Sequence, residues 1–436
     1  MRHLPAEVSG AFLYPPTELL RKRGYYSWPG AGFDAEGRQK EYAEVIGSIS
    51  RRLGMKISLR REPVYGPEGV GRFVGEVKEK GPDGLLLVLL QKGEWGSVVR
   101  IVDEVGVPTV VFVPVGVLLN PQINQLHRRK GVYVVSSLDI EGLEYGMRMI
   151  GTAKWMGESR IVNVAGDEEA DFRVEDIFGT QVRTVPLRRY SEEFRRTQAT
   201  EEVRKLARLY SEGALKVVEP SEEDILNSAK TYFVCKRIME SEEADAFMMD
   251  CLRAIGPEKP VPCMAYMSLR DEGVAMGCQS DLDATLTQML LLRLFGRPGF
   301  QQNASCDTWR NHYYGAHCTC PTRLGGPGEP PEPYILRNHA ETGTGVSPQV
   351  IWRKGQEVTM VHYIHGRPPS MAIYTGRVVG RYDMPPAGGC RTNVELVLDG
   401  VEDVCEVKGM HQTIIYGDHA KKLRSFCQLY GIEVID

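Results

Sequence analysis

The spacing of hydrophobic and polar positions changes character along this chain, and the changes divide it. In the first third, Gln39–Leu53 and Trp95–Val105 carry apolar residues at helical spacing. Between them, Gly84–Leu90 is a continuous apolar run bounded by Pro82 and Asp83, the pattern of a strand buried on both faces. Pro108–Val115 predicts the next strand, Gly131–Ser136 continues the series, and Gly10–Pro16 reads as a first strand and turn. Strand, helix and strand in alternation predict a parallel sheet with helices on both faces.

A second unit of the same kind begins at Arg160–Ala165, with Gln181–Pro186 as its next strand. Glu201–Lys216 and Ser221–Met239 predict helices, the latter opened by a capping-box-like Ser221-x-x-Asp224. Ala244–Cys251 and Pro262–Leu269 read as strands. After the Gly/Pro-rich segment 325–333 the period shortens. Glu357–Ile364, Met371–Gly380, Asn393–Leu398 and Gln412–Tyr416 are β-rich runs between turn residues, and Ala420–Leu429 is a short helix. They predict an antiparallel sheet or small barrel. The expected domains are therefore 1–160, 161–330 and 331–436.

The middle unit holds the stretch with the most chemistry. Leu286, Leu290 and Leu294 mark one face of a helix over 282–295, with Asp281 or Asp283 to cap it and Gly296 and Pro298 to stop it. Two polar segments, Gly277–Asp281 and Gln301–Asp307, flank that helix and read as loops at strand ends, where open α/β folds place ligands. Seven of the nine histidines follow Asn311. That skew favours a site shared between the middle stretch and the β domain. Against it stands the plain reading, in which most of these histidines are scattered surface or core residues and His362 and His365 are surface. Gln279 and Asn303 could equally bond local backbone, and Asp281 could be only a helix cap. Asp271, Glu272, Asp307 and Glu341 are weaker carboxylate candidates, and His317-Cys318-x-Cys320 is a weak zinc candidate.

The same residues resemble the L-fucose isomerase and L-arabinose isomerase family. The family motif of Cys-Glu-x-Asp before an apolar helix is answered by Cys278-Gln279-Ser280-Asp281. The second family carboxylate falls on Asn303, the His loop on Gly315-Ala316-His317-Cys318, and the final His on Gly409-Met410-His411. Residues 244–251, 355–360 and 429–434 read like further landmarks. The resemblance implies two doubly wound Rossmann/flavodoxin-like α/β domains followed by a C-terminal antiparallel, barrel-like β domain. It implies an aldose–ketose isomerase acting on a small free sugar, with Asp281 and His317 as catalytic residues and Gln279, Asn303 and His411 binding substrate. It also implies a closed homo-oligomer, a trimer or hexamer, whose pockets are completed by a neighbouring N-terminal domain. A family metal such as Mn²⁺ would fall to Gln279, Asn303 and His411, but carboxamides replace both carboxylates, and hard cations prefer charged oxygens. A metal-independent lyase or glycosidase on the same scaffold, or a non-catalytic sugar-binding protein, are the alternatives.

Composition removes other classes. A formal charge of −4 gives no electrostatic case for nucleic acid or an anionic membrane. The absence of G-x-G-x-x-G and P-loop patterns indicates no nucleotide cofactor. No apolar run reaches the ~18 residues of a membrane helix, and nothing near Met1 reads as a signal peptide. Ten cysteines without a C-x-x-C pair suggest reduced thiols and a cytoplasmic setting.

Overall fold

The computed structural model of the chain describes residues 3–254, 260–384 and 388–435. It forms two compact units. One comprises the chain up to Trp155 together with Arg424–Glu433, and the other comprises Met156–Leu423 and the residues from Val434.

The first unit is a five-stranded parallel sheet of Glu7–Leu13 (β1), Lys56–Leu59 (β2), Gly84–Leu89 (β3), Thr109–Pro114 (β4) and Val132–Ser137 (β5), in the order β2-β1-β3-β4-β5. Every residue of β3 is buried, which is why its sequence is apolar throughout rather than alternating. The covering helices bury one stripe each. In Gly66–Lys80 that stripe is Val70, Phe73, Val74 and Val77, one helical repeat apart. A cleft of about 660 Å³ lies in this unit, lined by Arg23, Arg60, Tyr65 and Arg72 among others, and it holds none of the expected site residues.

The second unit begins with Arg160–Val164 (β6), Ala170–Arg173 (β7) and Gln181–Val185 (β8). After the two-residue Lys216–Val217 (β9) come Ala246–Met249 (β10) and Ala275–Cys278 (β11). The sheet order is β11-β10-β6-β8-β7, parallel except for the edge strand β7. The Glu222–Ser241 helix starts at the expected capping box, Ser221 and Asp224 bonding each other's backbone. The expected strand at Pro262–Leu269 is instead a helix, Cys263–Asp271. Nearly all of it is buried, so its sequence shows no polar face from which a period could be read.

The helix Leu282–Phe295 follows, capped by Asp281 and closed by Gly296 in the left-handed conformation at φ 65°. Then come Phe300–Asp307 (β12), His312–His317 (β13), Tyr334–Arg337 (β14), Ser347–Val350 (β15), Glu357–Ile364 (β16), Ser370–Gly380 (β17), Thr392–Leu398 (β18), His411–Tyr416 (β19) and Glu433–Ile435 (β20). Six of these close into an antiparallel barrel in the order β16-β19-β12-β13-β18-β17, sealed by the β16–β17 pairing. Closure removes the exposed edges that an open sheet would carry. Tyr313, Met360, Ala372, Leu396 and Ile414 belong to its core. Strands β9, β14 and β15 form a separate small sheet.

The polar segment Gln301–Asp307, expected as a loop, is thus a barrel strand, and both β12 and β13 precede the Gly/Pro-rich segment. Among the described residues, no helix is long and apolar enough to cross a membrane.

Candidate functional site

The candidate site lies where the carboxyl end of β11 meets the barrel strands β12, β13 and β19. Strand register puts Asn303 directly opposite His411. His411, 2% exposed, turns its Nε2 to Asn303 Oδ1 at 2.7 Å and its Nδ1 to Asp281 Oδ2 at 2.6 Å. The other carboxylate oxygen of Asp281 accepts the Ala284 amide at 2.8 Å, capping the helix. Asp281 is thus the helix cap that the sequence suggested, and its second oxygen holds an imidazole, a contact the sequence did not indicate. Burial works against ionisation of Asp281. The hydrogen bonds from His411 and the Ala284 amide, with the nearby histidines, outweigh it and hold the carboxyl below its usual range.

His317 stands beside this chain of contacts, its ring centroid 5.6 Å from that of His411. It is 1% exposed, and burial, reinforced by the charges of His411 and Arg270, pushes its basicity well below that of an ordinary histidine. Its Nδ1 is 3.2 Å from the Cys318 sulfur. A thiol donating there fixes the hydrogen of the neutral ring on Nε2, a buried group with no hydrogen-bond partner among the described residues.

The loop that carries Asp281 is strained. Gln279 and Ser280 are consecutive non-glycine residues at φ 58° and 52°. Left-handed backbone costs such residues about 1–2 kcal/mol each, and surrounding bonds hold them there. Ser280 donates its amide to the Met249 carbonyl at 3.0 Å and its hydroxyl to Asn163 Oδ1 at 2.7 Å. Gln301 clamps the preceding residue, accepting the Cys278 amide at 2.9 Å and donating to its carbonyl at 3.2 Å.

Asp281, Asn303 and His411 are thus one hydrogen-bonded chain with His317 adjacent. Gln279 is half-buried in the same loop, but its side chain makes no hydrogen bond to another described residue. Asp271 serves the Thr322 and Arg323 amides, and Asp307 those of Trp309 and Arg310. Glu272 accepts from the Tyr232 hydroxyl, and Glu341 is exposed. His362, read from sequence as surface, is only 7% exposed, and its Nδ1 faces the His411 carbonyl at 3.1 Å. The alternation of β16 could have placed it inward. Asn163 and Ser280 gave no sequence signal, because their pairing spans 117 positions.

The donor set does not fit a hard divalent cation. Both ring nitrogens of His411 already face oxygens, Asn303 Oδ1 is one of them, and the only carboxylate in the chain of contacts is committed to a helix amide and to His411. Comparison of the sequence with known family models and with curated proteins finds no match in either.

Proposed function

We propose that this chain is a sugar-processing enzyme that interconverts an aldose and a ketose by proton transfer without a hard metal ion. The observation that carries this reading is the Asp281–His411–Asn303 chain. A carboxylate that fixes Nδ1 orients the ring as a general base requires, and Nε2, which faces Asn303 Oδ1, is the nitrogen that would work once substrate displaces Asn303.

His411 Nε2 would take the proton from C2 of an open-chain aldose, giving an enediolate, and return it to C1. The hydroxyl proton on O2 is lost as the one on O1 is gained, so the product is the 2-ketose with no net change in composition. Asp281 stays ionised and stabilises the imidazolium between the two transfers. Asn303 suits a group that alternates between these states, since its oxygen accepts from the acid form and its amide N–H₂, after a half-turn, donates to the base form. The buried Nε2–H of His317 is the donor available to an enediolate oxygen. The resemblance to L-fucose and L-arabinose isomerases supports a small free sugar as substrate, and it is also the reason to expect a homo-oligomer. Glycoside cleavage ordinarily needs a pair of free carboxyl groups, whereas Asp281 is committed to His411.

The test is a panel of free pentoses, hexoses and 6-deoxyhexoses incubated in D₂O with excess chelator. Deuterium at C1 or C2 of an interconverted sugar, lost in His411→Asn, supports the reading. Binding without interconversion would make the protein a sugar sensor, and interconversion that stops on chelation and returns with Mn²⁺ or Mg²⁺ but not with Zn²⁺ would overturn the mechanism without a hard metal ion.

A further inference from the structure

Cys318 has thiol and imidazole neighbours on two sides. The ligand atoms of Cys278, His317 and Cys318 lie within 4.8 Å of one another, as do those of Cys263, Cys318 and His339, and all five residues are buried. On the first side a charged group attends the cluster. Arg270, 1% exposed, donates from Nε to the Met276 carbonyl at 3.1 Å and from Nη2 to Gln301 Oε1 at 3.5 Å, with the Cys278 sulfur 3.8 Å from the same nitrogen. Its Nη1 has no hydrogen-bond partner among the described residues.

A guanidinium is charged at every accessible pH, and a buried charge is costly unless an opposite charge faces it. Of the hydrogen-bond partners of Arg270, the carbonyl and carboxamide oxygens are neutral, and only the Cys278 sulfur can become an anion. Metal ligation is what makes a buried thiol a thiolate. Two thiolates and an imidazole, with no carboxylate in the group, select a thiophilic d¹⁰ cation over Mn²⁺ or Mg²⁺, and three protein ligands leave a further position for a small molecule.

We propose that Cys278, His317 and Cys318 bind one Zn²⁺, with Arg270 facing the Cys278 thiolate. Cys278 is separated from Asp281 by only two residues, so the ion would sit at the base of the strained loop. With Nδ1, the nitrogen beside the Cys318 sulfur, as the ligand atom, His317 would keep its Nε2–H, so the ion is compatible with the sugar reading and can be present if that reading fails.

The full-length protein, reduced and stripped with chelator, is titrated with Zn²⁺ against a chromophoric competitor and, separately, with Co²⁺. One tight equivalent is expected, with intense near-ultraviolet thiolate-to-cobalt absorption. Cys278→Ser and His317→Gln should each weaken Zn²⁺ about 100-fold, the loss of one ligand from a small thiolate site. Cys320→Ser, in the adjacent C-x-C but outside the group, should bind as the parent does. No tight Zn²⁺ in the parent protein would overturn the proposal. So would loss of binding in Cys263→Ser with Cys278→Ser unaffected, which would place the ion on the other side of Cys318. Should Cys278→Ser fail to fold, the parent chain still decides. Zn²⁺ should slow alkylation of Cys278 and Cys318 in mild urea without slowing that of the buried Cys235 and Cys427, and equal slowing of all four would refute the site.

Discussion

His411 and Asp281 are 130 positions apart in the chain and 2.6 Å apart in space, and that contact ties the barrel to the first turn of the Leu282–Phe295 helix. Hydrogen bonds involving a charged partner contribute about 1.5–3 kcal/mol. Asp281→Asn keeps an oxygen for the helix amide but loses the charge, so urea unfolding at pH 7 should show a loss in that range. A variant as stable as the parent would mean that the contact carries little of the folding free energy.

The acid side of the stability profile should carry the same signature. The Asp281 carboxyl titrates lower in the folded chain than its ordinary value. Its contribution is therefore present above the ordinary carboxylate range and is lost as pH falls through the lowered folded value. Melting temperatures of parent and Asp281→Asn, followed downward from pH 7, should converge below that range. A constant gap at every pH would contradict the assignment.

Gly277 leaves no room for a larger residue. A methyl group there would stand 1.9 Å from the Thr285 hydroxyl oxygen and 3.0 Å from Met248 Cβ. Gly277→Ala should cost about 1–3 kcal/mol through overpacking of strand β11 against the helix. Adding Thr285→Ala should recover part of that loss, which a double-mutant cycle would read as coupling.

Gln279 offers the opposite case. Glycine adopts φ near 58° freely, so Gln279→Gly should stabilise the chain by about 1 kcal/mol, whereas Gln279→Ala should not. If the strain positions the loop for a ligand, the glycine variant should also bind its sugar more weakly. Calorimetry on both variants separates the two effects.

Introducing carboxylates tests the reading of the amide pair. Gln279→Glu with Asn303→Asp should raise Mn²⁺ affinity about tenfold or more, each tenfold being ~1.4 kcal/mol, because charged oxygens drive hard-cation binding. Tight Mn²⁺ binding by the parent chain in calorimetric titration would mean that the donor set has been misjudged.

Much of the fold was legible because its signals are local. The Leu282–Phe295 helix, with its Asp281 cap and Gly296 stop, and the strands β3 and β16 lie where period and end signals put them. Two errors have separate causes. The Cys263–Asp271 helix has almost no exposed face to reveal its period. Strand β12 looked like a loop because Gln301 and Gln302 are polar, yet both are fully buried and bonded to partners such as the Cys278 backbone and Tyr313. At the site, the resemblance picked out Asn303 and His411, and strand register places them opposite each other. The Arg270–Cys278 contact had no such cue, since Arg270 belongs to no motif and the motif that begins at Cys278 says nothing of its partner.

The first compact unit is not contiguous in the chain. Arg424–Glu433 returns to it, with the Gln428 carbonyl accepting the Gly131 amide at 3.0 Å and the Gln428 side chain donating to the Val132 carbonyl at 2.7 Å. During synthesis, Trp155 emerges roughly 270 residues before that segment, an interval of about 15–50 s at 5–20 residues per second. Through that time the nascent N-terminal unit lacks its last piece and leaves exposed the surface that Phe426 and Cys427 bury in the finished chain. The first unit to be translated is thus completed late, and any stop before Arg424 deprives it of the Gln428 contacts however much of the chain has already been made.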